Sequence, residues 1–318
     1  MAISNFIETS GLTYCGDEAK EIFSKEIYNL DLRGYGITLM DGVKGKMKIY
    51  NGEVGDVWQA YSCPFSPNGE VVLSEDYIEP AAIKVNLENC YDEFWNTYLV
   101  EQTSITLNGG IPQTFFEWFF NDKLIKKMDK EYQEIFWKGD STYSGSTKAY
   151  LKVTDGIEAI LKESGNSISG SALTVDNIEA KIEGAIASAM SVAASAETEI
   201  DEYKIFMNKN DIRTLAVALG KDCTCNTTNS VFANYTKDGE KLFVYGLEVV
   251  PCECSRNTII VAPARNLVLG FDTFDSHLEY RIIDMRETTG DNAFRVIALS
   301  NIAVGVVYPQ LAVISYVA

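Results

Sequence analysis

The stretch Ile111–Asp140, IPQTFFEWFFNDKLIKKMDKEYQEIFWKGD, decides how the rest of the chain is read. Five aromatic residues crowd into six positions: Phe115, Phe116, Trp118, Phe119 and Phe120, around Glu117. Pro112 suits a first helical turn, where its missing N–H costs nothing. Phe116, Phe120, Leu124, Met128, Tyr132 and Ile135/Phe136 then recur at three- and four-residue spacing, the stripe of an amphipathic helix. Lys123, Lys126, Lys127, Lys130 and Glu134 take the other side, with Asp122–Lys126 and Lys130–Glu134 at helix-pair spacing. The pattern stops at Gly139. A helix from Pro112 to Trp137 would span about 39 Å, longer than the average globular helix. It predicts a core helix that serves as a beam across a flat, elongated subunit.

Composition narrows the possible functions. The chain has 318 residues, enough for one large or two medium domains, and 46% of them are apolar, which supplies a real core. Acidic side chains number 45 against 27 basic ones, for a net charge of −18. Nucleic-acid binding rests on clustered Lys and Arg, and no basic block here is longer than LIKKMDK, which argues against specific DNA or RNA recognition. The opening MAISNFIETSGLTYCGDEAK has neither the basic start nor the apolar centre of a secretory signal. The sequons at Asn226 and Asn234 therefore carry no weight, and a soluble protein made in a cytoplasm is expected. The apolar run NIAVGVVYPQLAVISYVA is interrupted by Asn301, Pro309 and Gln310 and reads as two buried strands rather than a membrane span. Seven scattered cysteines fit reduced thiols better than a disulfide framework.

Familiar catalytic patterns are missing. One histidine, His277, leaves little room for a triad or a multi-histidine metal site, and its alternating surroundings make it a strand residue. There is no Gly-x-Ser-x-Gly elbow, and the Gly45-Lys46 and Gly220-Lys221 pairs lack the upstream Gly of a phosphate loop. RGYGITLMDG lacks the third Gly of a dinucleotide fingerprint. Cys223 and Cys225, with Cys252 and Cys254, form two Cys-x-Cys pairs that could each point two thiolates one way. Structural zinc prefers Cys-x-x-Cys turns, so the favoured reading is four small structural residues rather than a metal site or a disulfide. No catalytic residue, cofactor or metal is assigned.

Around the aromatic helix the chain reads as follows. In residues 1–50, DEAKEIFSKEIYNL suits one helix with Ile22, Phe23, Ile27 and Leu30 on a stripe, in an otherwise extended arm. GDVWQAYSC (55–63) and EVVLSEDYIEP (70–80) look like the sides of a long hairpin whose tip is PFSPNG, with Pro64, Pro67 and Asn68-Gly69. An isolated two-stranded ribbon is marginal in water, so this one is expected to be mobile in a lone subunit and to need a surface elsewhere. Residues 151–270 then alternate: a helix in DNIEAKIEGAIASAMSVAASA, a strand in DEYKIFMN, a helix in KNDIRTLAVALG closed by Gly220, and strands in KLFVYGLEVVPC and RNTIIVAPARNLVLGF. Three closing strands follow in SHLEYRIIDMRET, NAFRVIALSNIAVGVV and QLAVISYV. Residues 151–270 are thus read as an α+β or α/β layer domain.

This order resembles the major capsid proteins of tailed bacteriophages, the Hong Kong 97-type fold that encapsulins also use. EIFWKGD (134–140) followed by YLKVTDGIEAIL (150–161) is similar to the family's passage from spine helix through a Gly-Asp loop into a short helix. YKIFMNKNDIRTLAVAL (203–219) resembles its strand, Met-Asn turn and helix, and KLFVYGLEVVPC (241–252) its Leu-x-Gly-x-x-Val hairpin. TIIVAPARNLVLGFD (258–272) and NIAVGVVYPQLAVI (301–314) resemble the strands that follow, although Pro-x-Ala is more usual than YPQLAV. Each motif is weak alone, and the order over residues 50–318 makes the case.

The resemblance implies an α+β subunit with an N-terminal arm (1–50), an extended hairpin loop (51–90), a peripheral domain with the spine helix (91–150), an axial domain (151–270) and closing strands returning to the peripheral domain (271–318). It implies a structural shell protein that assembles with itself into hexamers and pentamers of an icosahedral phage capsid around double-stranded DNA, without sequence-specific binding. It is then no enzyme, has no membrane partner, is assembled in the host cytoplasm and ends in the virion. Scaffolding, portal and decoration proteins are the further partners the family suggests. No helical scaffolding region is seen before residue 50, and no Lys partner is found for a covalent cross-link to Asn68. The residues expected to carry assembly are Phe65, Pro67 and Asn68 at the hairpin tip and Phe116, Phe120 and Leu124 on the spine. The alternatives are an encapsulin-type compartment shell and, less favoured, a carboxylate- or metal-dependent enzyme with a pocket in 151–270.

Overall fold

The helix expected from the aromatic stretch is present from Ile125 to Lys138 and ends one residue before Gly139. The computed structural model describes residues 34–55, 58–61, 63, 69–107, 119, 124–164, 166–196, 202–221, 242–271 and 281–317. The expected start of the helix at Pro112, the helix at 17–30 and His277 lie outside these residues.

In chain order the elements are β1 (Thr38–Asp41), β2 (Met47–Val54), β3 (Val71–Ile78), β4 (Ala81–Cys90), α1 (Tyr91–Leu107), α2 (Ile125–Lys138), α3 (Ile157–Glu163), β5 (Ser167–Gly170), α4 (Ile178–Ser195), β6 (Tyr203–Asn208), α5 (Lys209–Lys221), β7 (Leu242–Val244), β8 (Leu247–Cys252), β9 (Ile259–Pro263), β10 (Leu267–Phe271), β11 (Arg281–Asp284), the single turn α6 (Met285–Thr288), β12 (Ala293–Val306) and β13 (Val313–Val317). They gather into two units, one within residues 82–131 and 272–301, the other within 31–81, 132–271 and 302–318. Both α2 and β12 run through the boundary between them.

In the first unit β4 and β11 both pair with β12; β11 is antiparallel to it, with Arg281 opposite Ile297 and Asp284 opposite Phe294. Successive residues of a strand face opposite ways, so Phe294, Val296 and Ala298 all point to one side. They meet Tyr91, Phe119 and Leu124 there, and Phe94, Trp95 and Tyr98 of α1 close over them. Phe294 is the hub, with ring centroids 5.1 Å from both Tyr91 and Phe119, and Phe119 stands edge-on 5.3 Å from Phe94. Edge-to-face contacts of this kind add about 0.5–1.5 kcal/mol each beyond the area they bury. In the described part, the aromatic run thus serves a ring cluster within one unit.

The second unit is built on a mixed six-stranded sheet, order β5-β13-β9-β6-β8-β7. Tyr203, Ile205 and Met207 of β6 face α4 and α5, whose Ile178, Ile182, Ala185, Ala189, Ala193 and Leu215 are buried against them. Small residues along α4 allow this close seating on the sheet. Phe206 points the opposite way, and Trp137 at the end of α2 packs on it at 5.3 Å. β7 and β8 turn through Tyr245 and Gly246, both at positive φ (51° and 83°), the pattern of a type I′ hairpin turn. The helix α5 runs to Lys221, one residue past the expected Gly220 stop.

Beside this sheet, β1 pairs parallel with β10, and β10 pairs antiparallel with the last part of β12. The hairpin β2–β3 is antiparallel from Met47–Ile78 to Val54–Val71, so its first strand begins at Met47 and the described residues of 58–63 lie beyond it. Its root is not bare: Ile49 and Ile78 are buried with Val43, Val268 and Ala303. Gly305 makes room for this, since a Cβ there would lie 2.6 Å from Ile78 Cδ1. Among the described residues no helix is long and apolar enough to cross a membrane.

Candidate functional site

Beyond the paired part of the hairpin, two aromatic side chains stand almost wholly in water: Trp58 is 97% exposed and Tyr61 95%. Gly69 supplies a left-handed φ of 91° on the return, and Gly55 N donates to Glu70 O at 2.8 Å to close the ladder. The flank of the ribbon is a charged ladder, with Lys48 on Glu75 at 2.6 Å, Lys46 on Glu79 at 2.7 Å, and both ammonium groups over the Tyr77 ring. The expected tip residues Phe65, Pro67 and Asn68, and Phe116 and Phe120 of the spine, lie outside the described residues. Leu124 is the member of that set the structure places, buried in the ring cluster of the first unit.

The second feature is the end of the spine. Gly139 N donates to Ile135 O at 2.9 Å and Gly156 N to Gly139 O at 2.8 Å, so two backbone segments touch with no side chain between them. Glu134, placed by spacing on the polar side with Lys130, is instead buried. It accepts from Lys148 Nζ at 2.8 Å and Tyr150 OH at 2.5 Å, with Lys138 Nζ at 3.8 Å. Burial pushes its carboxyl up, but the two hydrogen bonds and the lysine charges outweigh this and hold it below the usual carboxylate range. The clamp fixes the chain after the spine against the helix it has just left.

A third group of buried polar side chains surrounds the connection from β8 to β9. Asn208 caps α5, accepting from Asn210 N at 3.0 Å, and donates to Cys254 O at 2.6 Å. Asp211 accepts from Asn257 N at 2.7 Å, and Glu158 of α3 from Ser255 N at 2.5 Å. Burial pushes the Asp211 carboxyl up, opposed by the Asn257 N–H and the Arg256 charge. Cys252 and Cys254 are buried free thiols, and burial pushes Cys254 well up, so it is a neutral thiol at ordinary pH. Cys223 and Cys225 lie outside the described residues. Among the described residues no three His, Cys, Asp or Glu side chains gather so as to hold a metal ion. Glu158 and Asp211 are each tied both to loop backbone and to a charged neighbour, Lys162 and Arg256, an arrangement that positions the chain.

Sequence reasoning missed Glu134, Glu158, Asn208 and Asp211 as structural clamps. Glu134–Lys138 and Glu158–Lys162 do stand at helix-pair spacing, but so do ordinary surface pairs, and the partners that bury these carboxylates are distant in the chain.

No family model matches the chain, and no curated protein matches it in sequence. Solved structures do. A chain of the satellite phage P4 procapsid including size determination (Sid) protein aligns over 95% of this chain and 91% of its own, with a TM-score of 0.64 at 11% identity. A chain of Gordonia phage Cozz covers 91% of this chain and 86% of its own, with a TM-score of 0.54 at 11% identity. The capsid of an empty GTA particle covers 91% and 90%, with a TM-score of 0.52 at 11% identity. The likeness is one of fold: nearly end to end, this mixed α+β chain is folded like phage capsid proteins.

Proposed function

We propose that the chain is a structural shell protein of the Hong Kong 97-type, assembling with itself into the hexamers and pentamers of an icosahedral phage capsid that encloses double-stranded DNA. What carries the reading is the hairpin. Its root is packed on its own subunit, while Trp58 and Tyr61, beyond its paired part, are 97% and 95% exposed. Two large aromatic rings left exposed at the end of a two-stranded arm match a contact completed by another copy. The end-to-end likeness in fold to phage capsid proteins supports the same reading.

On this reading residues 1–50 form an arm, 51–90 the extended loop, 91–150 the peripheral domain with the spine, 151–270 the axial domain and 271–318 the closing strands. The hairpin-tip residues Phe65, Pro67 and Asn68 join Trp58 and Tyr61 at the contact. Phe116, Phe120 and Leu124 belong to the spine along which the subunit is built. Scaffolding, portal and decoration proteins are its further partners, and the particle is assembled in the host cytoplasm. The net charge of −18 suits a lining over which packaged DNA slides.

The test is negative-stain electron microscopy of the purified protein across a salt series, with light scattering. Added salt screens the repulsion between acidic copies, so closed shells or rings of five or six are expected to grow with ionic strength. A compact monomer at every salt concentration would count against the proposal.

A further inference from the structure

We infer that the loop between β8 and β9, residues 253–257, is a docking element whose Arg256 grips a carboxylate on a second copy of this chain; the inference rests on the shell reading above. The loop is held by more than a connection needs. Asn208 donates to Cys254 O at 2.6 Å, Glu158 accepts from Ser255 N at 2.5 Å, Asp211 accepts from Asn257 N at 2.7 Å, and Lys209 Nζ sits 3.1 Å from Glu253 Oε1. Asn208, Glu158 and Asp211 are only 8%, 3% and 1% exposed. Asn257 adopts a left-handed φ of 62°, and its own Oδ1 accepts from Leu173 N at 2.9 Å.

Taking two carboxylates out of water is costly, and a non-glycine residue at positive φ adds strain. A loop that merely crossed from β8 past the end of β6 to β9 could be satisfied by solvent. Here the fold commits buried side chains from α3, β6 and α5 to one short segment, and the result is a fixed backbone. The one exposed residue on it is Arg256, with 67% of its side chain in solvent. Its Nε lies 4.0 Å from Asp211 Oδ1, close enough to orient the guanidinium and too far to occupy its five donors. A guanidinium aimed in advance loses little freedom on binding and matches a carboxylate through two parallel hydrogen bonds.

Charge identifies the partner. A chain of net charge −18 presents carboxylates to its own copies. A phosphate backbone calls for clustered cations, and Arg256 stands alone on its loop.

The experiment compares wild type, R256Q and R256K by sedimentation velocity over a range of concentration and salt. R256Q is expected to raise the concentration needed for assembly roughly tenfold, the factor one charge-assisted hydrogen bond supplies. Its melting temperature should match that of wild type. Assembled R256K, treated with a water-soluble carbodiimide, should yield an amide between the introduced lysine and a carboxylate of another copy, read by mass spectrometry. That cross-link decides the matter even if R256Q loosens the loop. Equal assembly of wild type and R256Q, or a cross-link confined to Asp211 of the same copy, overturns the contact and leaves the shell reading standing. A wild-type protein that stays monomeric throughout overturns the shell reading and this contact with it.

Discussion

Replacing Gly156 with alanine should destabilise the second unit severely for so small a change. The added methyl would lie 2.6 Å from Gly139 N, 2.8 Å from Ile135 O and 2.8 Å from Phe136 O, where ordinary contact begins at 3.4 Å. All three atoms are backbone, and two of them belong to the last turn of α2, so none can swing aside as a side chain would. Relief requires moving the helix end from the loop, which also stretches the 2.8 Å hydrogen bond from Gly156 N to Gly139 O. Overpacking of this kind costs typically 1–3 kcal/mol, and with backbone on every side about 3 kcal/mol is expected. In a domain of this size that lowers the melting temperature by about 6–12 °C. The control is Gly184→Ala on the exposed side of α4, where nothing lies within 4 Å of the new methyl. Relief of glycine's helix penalty should stabilise by about 0.5–1 kcal/mol. Thermal melts followed by circular dichroism compare the two. Gly156→Ala melting with wild type would refute the close-contact argument, and a loss at Gly184→Ala would refute the general use of such distances.

The remaining expectations concern the other features. Glu134→Gln should cost about 1.5–3 kcal/mol at neutral pH, since Lys148 and Tyr150 then bond a neutral acceptor. Because the folded Glu134 titrates below its unfolded value, its contribution is present above about pH 4.3 and is lost as pH falls through the lower folded value. Urea titrations should therefore show the gap between wild type and Glu134→Gln narrowing in acid, and a gap independent of pH would count against the clamp. Asn208→Ala removes a helix cap and a buried bond to Cys254 O, for a loss of about 2 kcal/mol in urea unfolding. Leu124→Asp places a charge in the ring cluster of the first unit and should prevent that unit from folding, as near-ultraviolet circular dichroism would report. Trp58→Ser should leave stability within about 0.5 kcal/mol while weakening assembly in light scattering, and a large stability loss would mean the ring is not in water.

The second unit was the most legible part of the sequence. The segments at 178–195, 203–208, 209–221 and 247–252 each carry one period, and Asn208 stands where strand passes to helix. Periodicity failed at α1: YDEFWNTYLVEQTSITL has aromatic and β-branched residues on all sides, so no single stripe announces a helix. It is set by packing, with Phe94, Trp95 and Tyr98 drawn onto the Phe294 side of the sheet. The hairpin's start was misplaced for a similar reason, because the aromatic GDVWQAYSC looks more like a strand than MKIYNGEV does. The strands pair from Met47 because Ile49 and Ile78 are buried together at the root. Of the six residues expected to carry assembly, Leu124 is the one whose place can be compared, and the stripe put it correctly in a core. The buried carboxylates escaped notice because a sequence displays charge but not the distant backbone amides that receive it.

The seat of Ile78 over Gly305 has a mechanical meaning. Eight paired residues on each strand make a lever about 27 Å long, clamped at one end and free at the other. Gly305 works as the keyway of that clamp, and its missing Cβ sets the angle at which the lever leaves the body. A rotation of about 5° at the root would carry the free end of such a lever through about 2 Å. A single methyl group at Gly305 could therefore leave the body intact and still spoil the aim of the arm that reaches from it.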